Sequence, residues 1–279
     1  MFTTIVDVAT LREHLNDPAW VIVDCRHTLT DFSLGRKQYG EGHIPGAHFA
    51  DMESDLSGEK TGRNGRHPLP DPRSFAAYLR SLGVSEQTQV VAYDAGGDMS
   101  AARLWFLCKW IGHDAVAVLD GGITAWTRAG EPVTTDAPAP PNSGTIEPHL
   151  RDDLVLDADF VLAHLNDPRV HILDARTSDR FAGQNETVDP IAGHIPGARN
   201  RWFKANFNDD LTFKSPAELG LEFAAFGDPN DIVHQCGSGV SAAANMLAME
   251  LAGLAGSRIY AGSWSEWIAN PSHPVAVGD

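Results

Sequence analysis

The sequence predicts an α/β protein made of two tandem copies of one domain, each a parallel sheet with helices on both faces. Three observations predict it. Short apolar runs alternate with stretches of helical spacing along the whole chain. Several segments of the first half recur in the second. The length, 279 residues, suits two domains of ordinary size.

The first half opens with Val8 to Leu15 at helical spacing, then Val21-Ile22-Val23-Asp24 as a short buried strand. After Gly42-His43-Ile44-Pro45-Gly46-Ala47 a polar, glycine-containing loop runs from Asp51 to Pro70. Phe75 to Leu82 reads as a helix, with Asp71 near its N-cap and Pro72 at its start. Val90 to Tyr93 and Val116 to Leu119 read as strands, Ser100 to Ile111 as a helix, and Gly121-Gly122 opens a helix carrying Trp126. Residues 134–150, rich in proline and polar residues, are expected to link a first domain, 1–133, to a second, 151–279.

The repeat is explicit. His14-Leu15-Asn16-Asp17-Pro18 recurs as His164-Leu165-Asn166-Asp167-Pro168, and Gly42 to Ala47 recurs as Gly193-His194-Ile195-Pro196-Gly197-Ala198. Asp120-Gly121-Gly122 with Trp126 matches Ala261-Gly262-Ser263 with Trp267. The first copy carries about ten extra residues, placed in or near the loop 51–70; a long loop in a compact domain is often functional. His43 and His194 recur in both copies and are read as structural.

Composition narrows the function. A net charge of -16 opposes nucleic acid and anionic membrane as partners. Three cysteines without paired spacing argue against a disulfide framework and for a reducing, cytoplasmic setting. Met1 to His14 carries Asp7 and Glu13 and no long apolar run, so no signal peptide is expected. No cluster has metal-ligand spacing and no phosphate-loop motif occurs, so neither metal nor cofactor is expected.

One stretch carries chemistry: Val233-His234-Gln235-Cys236-Gly237-Ser238-Gly239-Val240-Ser241-Ala242. It reads as strand, tight loop and helix. Gly237 and Gly239 let the backbone turn its N–H groups toward one point at a helix start, where negative charge is favoured. The Cys236 sulfur is the nearest atom able to carry that charge, and a thiol so placed is a nucleophile near neutral pH. Cys25 and Cys108 have no such loop and read as small buried hydrophobes. In the first copy Asp94 stands where Cys236 stands, so that copy is expected to be catalytically silent.

With the duplicated Gly-His-Ile-Pro-Gly-Ala, Leu119-Asp120-Gly121-Gly122, Gly262-Ser263-Trp264-Ser265-Glu266-Trp267 and the Cys236 loop, the chain resembles the two-domain rhodanese family of sulfurtransferases along nearly its whole length. The resemblance implies that Cys236 takes a sulfur atom from a small-molecule donor, holds it as a persulfide, and passes it to a thiophilic acceptor such as cyanide, a thiol or a thioredoxin-like protein. The loop looks like that of the 3-mercaptopyruvate class, Ser241 standing for its threonine, with Gly237, Gly239, Val240 and Ser241 as the substrate-binding cradle. Likeness to that class implies that Ser238, His67 and Glu53 form a serine–histidine–acid set, and that Arg180 binds the donor's carboxylate. His67 lies in the extra loop of the first copy, which must then cover the second copy's cleft. A second arginine, usual in the family, has no counterpart in Asn185 to Pro190; Arg199 or Arg201 is a substitute, or a surface ion-pair former. Thiosulfate as donor and a non-catalytic sulfur carrier stay open as alternatives. A cysteine phosphatase or arsenate reductase is disfavoured, because Ala242 stands where such an enzyme needs an arginine.

Overall fold

The apolar runs of the first half become a five-stranded, all-parallel sheet. In the computed structural model, which describes residues 1–139 and 141–278, it contains β1 (Ile5–Val6), β2 (Trp20–Asp24), β3 (His48–Phe49), β4 (Gln89–Tyr93) and β5 (Val116–Leu119). Their order is β1-β5-β4-β2-β3, so β4 is central. Helices α1 (Val8–Glu13), α2 (Leu34–Glu41), α3 (Pro72–Ser81), α4 (Ser100–Trp110) and α5 (Gly122–Arg128) connect the strands. Asp71 caps α3 by accepting the Ser74 N–H, and Pro72 supplies the helical φ at its first position. Every residue of α4 is buried, as expected for the helix that follows the central strand.

The second half repeats this plan. Strands β6 (Val155–Leu156), β7 (His171–Asp174), β8 (Arg199–Asn200), β9 (Ile232–Gln235) and β10 (Arg258–Tyr260) form a parallel sheet in the order β6-β10-β9-β7-β8. The helices are α6 (Ala158–Ala163), α7 (Ser178–Phe181), α8 (Pro216–Ala224), α9 (Ser241–Leu251) and α10 (Ser263–Trp267). The register His171↔Ile232 through Asp174↔Gln235 holds β7 beside the central β9.

The chain divides into two units that are not simply its two halves. Unit 1 comprises Met1–Gly58, Pro70–Arg151 and Phe207–Phe213; unit 2 comprises Glu59–Leu69, Asp152–Asn206 and Lys214–Asp279. Each unit thus takes in a loop from the other half of the sequence. Much of the stretch 134–150 is fastened to unit 1: Gly144 N–H donates to Arg80 C=O at 2.8 Å and His149 N–H to Ile111 C=O at 2.8 Å.

The two cores use the repeated residues alike. Trp126 and Trp267 are fully buried, and their indole N–H groups donate to Pro132 and Pro274 C=O at 2.8 and 2.9 Å. Burying such side chains contributes about 1.5–3 kcal/mol each or more, provided the N–H is satisfied. Asp24 and Asp174 bind Arg26 and Arg176 two residues on, and each guanidinium also reaches the carbonyl before the repeated histidine, Gly42 at 2.7 Å and Gly193 at 2.8 Å. The histidines are structural: His43 Nδ1 bonds Tyr39 C=O and stacks on that ring, and His194 does the same with Phe181. Among the described residues no helix is long and apolar enough to cross a membrane.

Candidate active site

In a parallel sheet a ligand sits beyond the carboxyl ends of the strands, and the central strand points its end at the middle of that edge. In unit 2 this strand is β9. Cys236 follows it directly and α9 begins five residues later. The turn between is tight. Gly239 has φ +78°, and a Cβ there would fall 2.2 Å from Ala261 C=O, so only glycine fits. This turn brings the Gly239 N–H to 3.1 Å from the Cys236 Sγ. The amide therefore donates a hydrogen bond to the sulfur itself.

The loop is held from α10 below. The Cys236 N–H donates to Ser263 Oγ at 3.1 Å, and the Trp264 and Ser265 N–H groups donate to the Cys236 and Gly237 carbonyls at 3.0 and 2.9 Å. Three contacts from one short helix fix the backbone on both sides of the sulfur. Cys236 is 2% exposed.

The Glu59–Leu69 segment belongs to this unit and brings His67 to the loop. Its Nδ1 lies 2.8 Å from the Ser238 Oγ, and both residues are buried. Arg66, its neighbour, is anchored by its own N–H to Ser265 Oγ at 3.0 Å. The Arg66 guanidinium bonds the Asp189 carboxylate, which the Arg180 Nη2 also reaches at 3.0 Å. Arg180, on α7, is gripped further by Glu186 through its Nε at 3.0 Å.

These charges crowd Gly237. A Cβ at that position would lie 2.8 Å from Arg66 Nη2, 3.7 Å from Arg180 Nη2 and 3.8 Å from Asp189 Oδ2. The absence of a side chain at Gly237 therefore lets two guanidinium groups approach the residue next to the sulfur. Burial raises the Asp189 carboxyl, the Arg66 charge opposes this, and the net shift is upward. For Glu186 burial acts the same way, but hydrogen bonds from Arg180 and from the Asp189 and Val188 amides prevail and hold it low.

Of the residues expected at the site, Cys236, Gly237, Ser238, Gly239, Val240, Ser241, Arg180 and His67 all belong to unit 2, and the contacts above join its loop, its arginine and its histidine. Glu53 belongs to unit 1, where its N–H donates to Asp51 Oδ1 at 2.9 Å. Arg199 stacks on Phe226 and bonds Ala225 C=O, and Arg201 binds Glu222 and Asn206, so both serve structure. Sequence reasoning missed Arg66 and Asp189. The only signal for Arg66 was its position beside His67.

Unit 1 carries the matching loop without a sulfur. Asp94 follows β4 and accepts the Gly96 and Ala101 N–H groups at 2.9 and 3.0 Å, so here a carboxylate, not a sulfur, takes up loop amides. Burial, reinforced by Asp98, pushes its carboxyl up to about 7. Only about 10 Å³ of space is left beside it, lined in part by Phe207 and Phe213. The other two thiols are buried, and burial first of all pushes both Cys25 and Cys108 far upward, which keeps them protonated and inert.

Comparison with known proteins agrees with this duplicated plan. The description "Rhodanese-like domain" matches residues 7–129 and again 157–270. The chain belongs to the rhodanese family. Among rhodanese relatives, a protein of Pseudomonas aeruginosa named "Probable 3-mercaptopyruvate sulfurtransferase" is 45% identical over 274 residues, covering 96% of each chain. The thiosulfate sulfurtransferase of Cricetulus griseus is 35% identical over 255 residues, 87% of this chain and 84% of that one. The solved structure of SseA from Escherichia coli, titled as a 3-mercaptopyruvate sulfotransferase of rhodanese fold, superposes with a TM-score of 0.82 at 31% identity, covering 94% of this chain and 99% of that one.

Proposed function

We propose that the chain is a sulfurtransferase that takes a sulfane sulfur from 3-mercaptopyruvate onto Cys236 and hands it to a thiophilic acceptor. The observation that carries this reading is a sulfur that accepts from a turn amide, with a hydroxyl–imidazole pair two residues along: Gly239 N–H at 3.1 Å from Sγ, and His67 Nδ1 at 2.8 Å from Ser238 Oγ. The names of the Pseudomonas and Escherichia relatives support the same donor.

The Cys236 thiolate attacks the mercapto sulfur, and an S–S bond forms. The carbon–sulfur bond breaks with its electron pair passing to carbon, which leaves as the enolate of pyruvate. Ser238, relayed by His67, supplies the proton that the enolate needs. A nucleophile then attacks the outer sulfur, the S–S bond breaks, and the thiolate returns. Cyanide, a small thiol or a thioredoxin-like protein serves as this nucleophile. Arg180 holds the donor's carboxylate. Three free cysteines support a reducing, cytoplasmic setting.

Thiosulfate is the second reading, because two guanidinium groups beside Gly237 also suit a dianion. Steady-state rates with 3-mercaptopyruvate and with thiosulfate on one preparation decide between them. Cys236→Ser must abolish both and the gain of one sulfur atom seen by mass spectrometry; retained turnover overturns the proposal. A chain that consumes a single donor equivalent and stops is a carrier, not an enzyme.

A further inference from the structure

Arg66 and Arg180 come from distant parts of the chain and meet at one place, beside Gly237. What they meet there is not solvent but a carboxylate, that of Asp189, whose two oxygens they share. The Asp189 side chain is 2% exposed while Arg66 is 26% exposed. Both residues line a groove of about 360 Å³ with Lys60, Val188, Pro190 and Ser265. Buried carboxylates need such pairing, but this one gains no support from its own neighbour: Glu186 adds a second negative charge. The Arg66 Nε is buried without a hydrogen-bond partner, so that guanidinium keeps a donor unused.

The arrangement is that of a carboxylate bound by a two-arginine fork, with the carboxylate supplied by the protein. We propose that Asp189 is a resident occupant of the anion seat beside the Cys236 loop, and that the carboxylate of an anionic sulfur donor displaces it to bind Arg66 and Arg180 together. This makes Arg66 the second cation that the 185–190 stretch lacks, and Asp189 a residue that sets donor affinity. The inference rests on the sulfurtransferase reading, but its test does not use sulfur chemistry.

Among the charged groups around Asp189, Arg66, Arg180 and Arg176 attract it and Glu186 repels it. Neutralising Asp189 frees the fork without removing it. Pyruvate, which carries the donor's carboxylate and keto group and no sulfur, is the probe. Isothermal titration of pyruvate into the full chain is expected to give a Kd at least fivefold lower for Asp189→Asn than for the unsubstituted protein. Asp189→Glu, which keeps the charge, is expected to show no such gain. Arg66→Ala added to Asp189→Asn must raise the Kd at least fivefold again, because a residue that merely neutralised Asp189 has nothing to do in that background. In steady state the same Asp189→Asn change should act on the KM for 3-mercaptopyruvate more than on kcat.

Unchanged or weaker pyruvate binding by Asp189→Asn overturns the proposal, as does Arg66→Ala without effect beside it. Should Asp189→Asn fail to fold by its thermal melt, Arg66→Ala alone is decisive: it must weaken pyruvate binding at least fivefold, and an unchanged Kd overturns the proposal. If pyruvate behaves as expected while Cys236 never gains sulfur, the seat stands and the sulfurtransferase reading falls.

Discussion

The His67 imidazole and the Ser238 hydroxyl lie 2.8 Å apart although 171 residues of chain separate them. The pair exists because Glu59–Leu69 packs into the unit that carries Cys236. A hydroxyl backed by an imidazole matters when a poor leaving group must be protonated. The carbon leaving group of 3-mercaptopyruvate is such a group, whereas sulfite, displaced from thiosulfate, leaves as a stable anion. Ser238→Ala and His67→Asn should therefore lower kcat with 3-mercaptopyruvate about 100-fold, the lower end of what proton transfer contributes. With thiosulfate the loss should be under tenfold. Equal losses with both donors, read from steady-state rates, would show that the pair positions the loop instead.

Arg180 faces Asp189 and Glu186 with 17% of its side chain exposed. A charge-assisted hydrogen bond to a donor is worth about 1.5–3 kcal/mol, or roughly tenfold to a hundredfold in KM. Arg180→Ala should raise the KM for 3-mercaptopyruvate by at least tenfold and change kcat less. A KM equal to that of the parent makes Arg180 a partner of the two carboxylates and nothing more.

Asp94 carries a pH signature into the stability of unit 1. Its carboxyl holds a proton up to about 7 in the fold, against an ordinary value of 3.8. The folded state thus binds that proton more tightly than the unfolded chain, so folding is favoured at low pH and the advantage is lost as pH rises from about 4 to about 7. Asp94→Asn removes the titration and leaves an amide oxygen to accept from Gly96 or Ala101. Its Tm relative to the parent should climb by several degrees between pH 5 and pH 8, the shift expected from one or more kcal/mol. A difference that is flat or falls over that range contradicts this account.

Much of this architecture was legible in the residues. Val116 to Leu119 is a strand as its apolar run implied, and Pro72 with Asp71 marks the start of α3 correctly because proline and a cap act locally. The Cys236 turn was legible for the same reason, since glycine chemistry sits within six residues. Local rules were weaker for α2: Leu34–Glu41 contains two glycines and buries only Gly35, so no apolar stripe announced it. The start of α8 was announced by Ser215, Pro216 and Glu218, a capping box that the motif-based reading passed over. Arg66 and Asp189 lay beyond local rules altogether. They are 123 residues apart, and only the inclusion of Glu59–Leu69 in unit 2 makes them partners. Family likeness located His67, but it could not show that the neighbouring arginine turns toward the sulfur loop.

Two features of the first copy would each keep it from taking up sulfur, and they separate by experiment. One is the missing thiol, since Asp94 fills its place. The other is room. Leu211, held at φ +72°, brings its Cδ2 to 3.1 Å from a Cβ placed at Gly97, and Phe213 is pinned by its N–H to Asp120 Oδ1 at 2.7 Å. With about 10 Å³ beside Asp94, no donor larger than a water molecule enters. The residues after Asp94, Ala95-Gly96-Gly97, also lack the hydroxyl that Ser238 provides. Asp94→Cys in a Cys236→Ser background should therefore show less than about 1% of parental turnover, the rate left by the loss of one proton-transfer group, and no persulfide by mass spectrometry. Adding Phe213→Ala and Leu211→Gly should let an alkylating reagent reach the new thiol, where Asp94→Cys alone stays unlabelled. Turnover restored by Asp94→Cys alone would mean that the thiol was the whole difference between the copies, and that the aromatic plug has no part in keeping one of them silent.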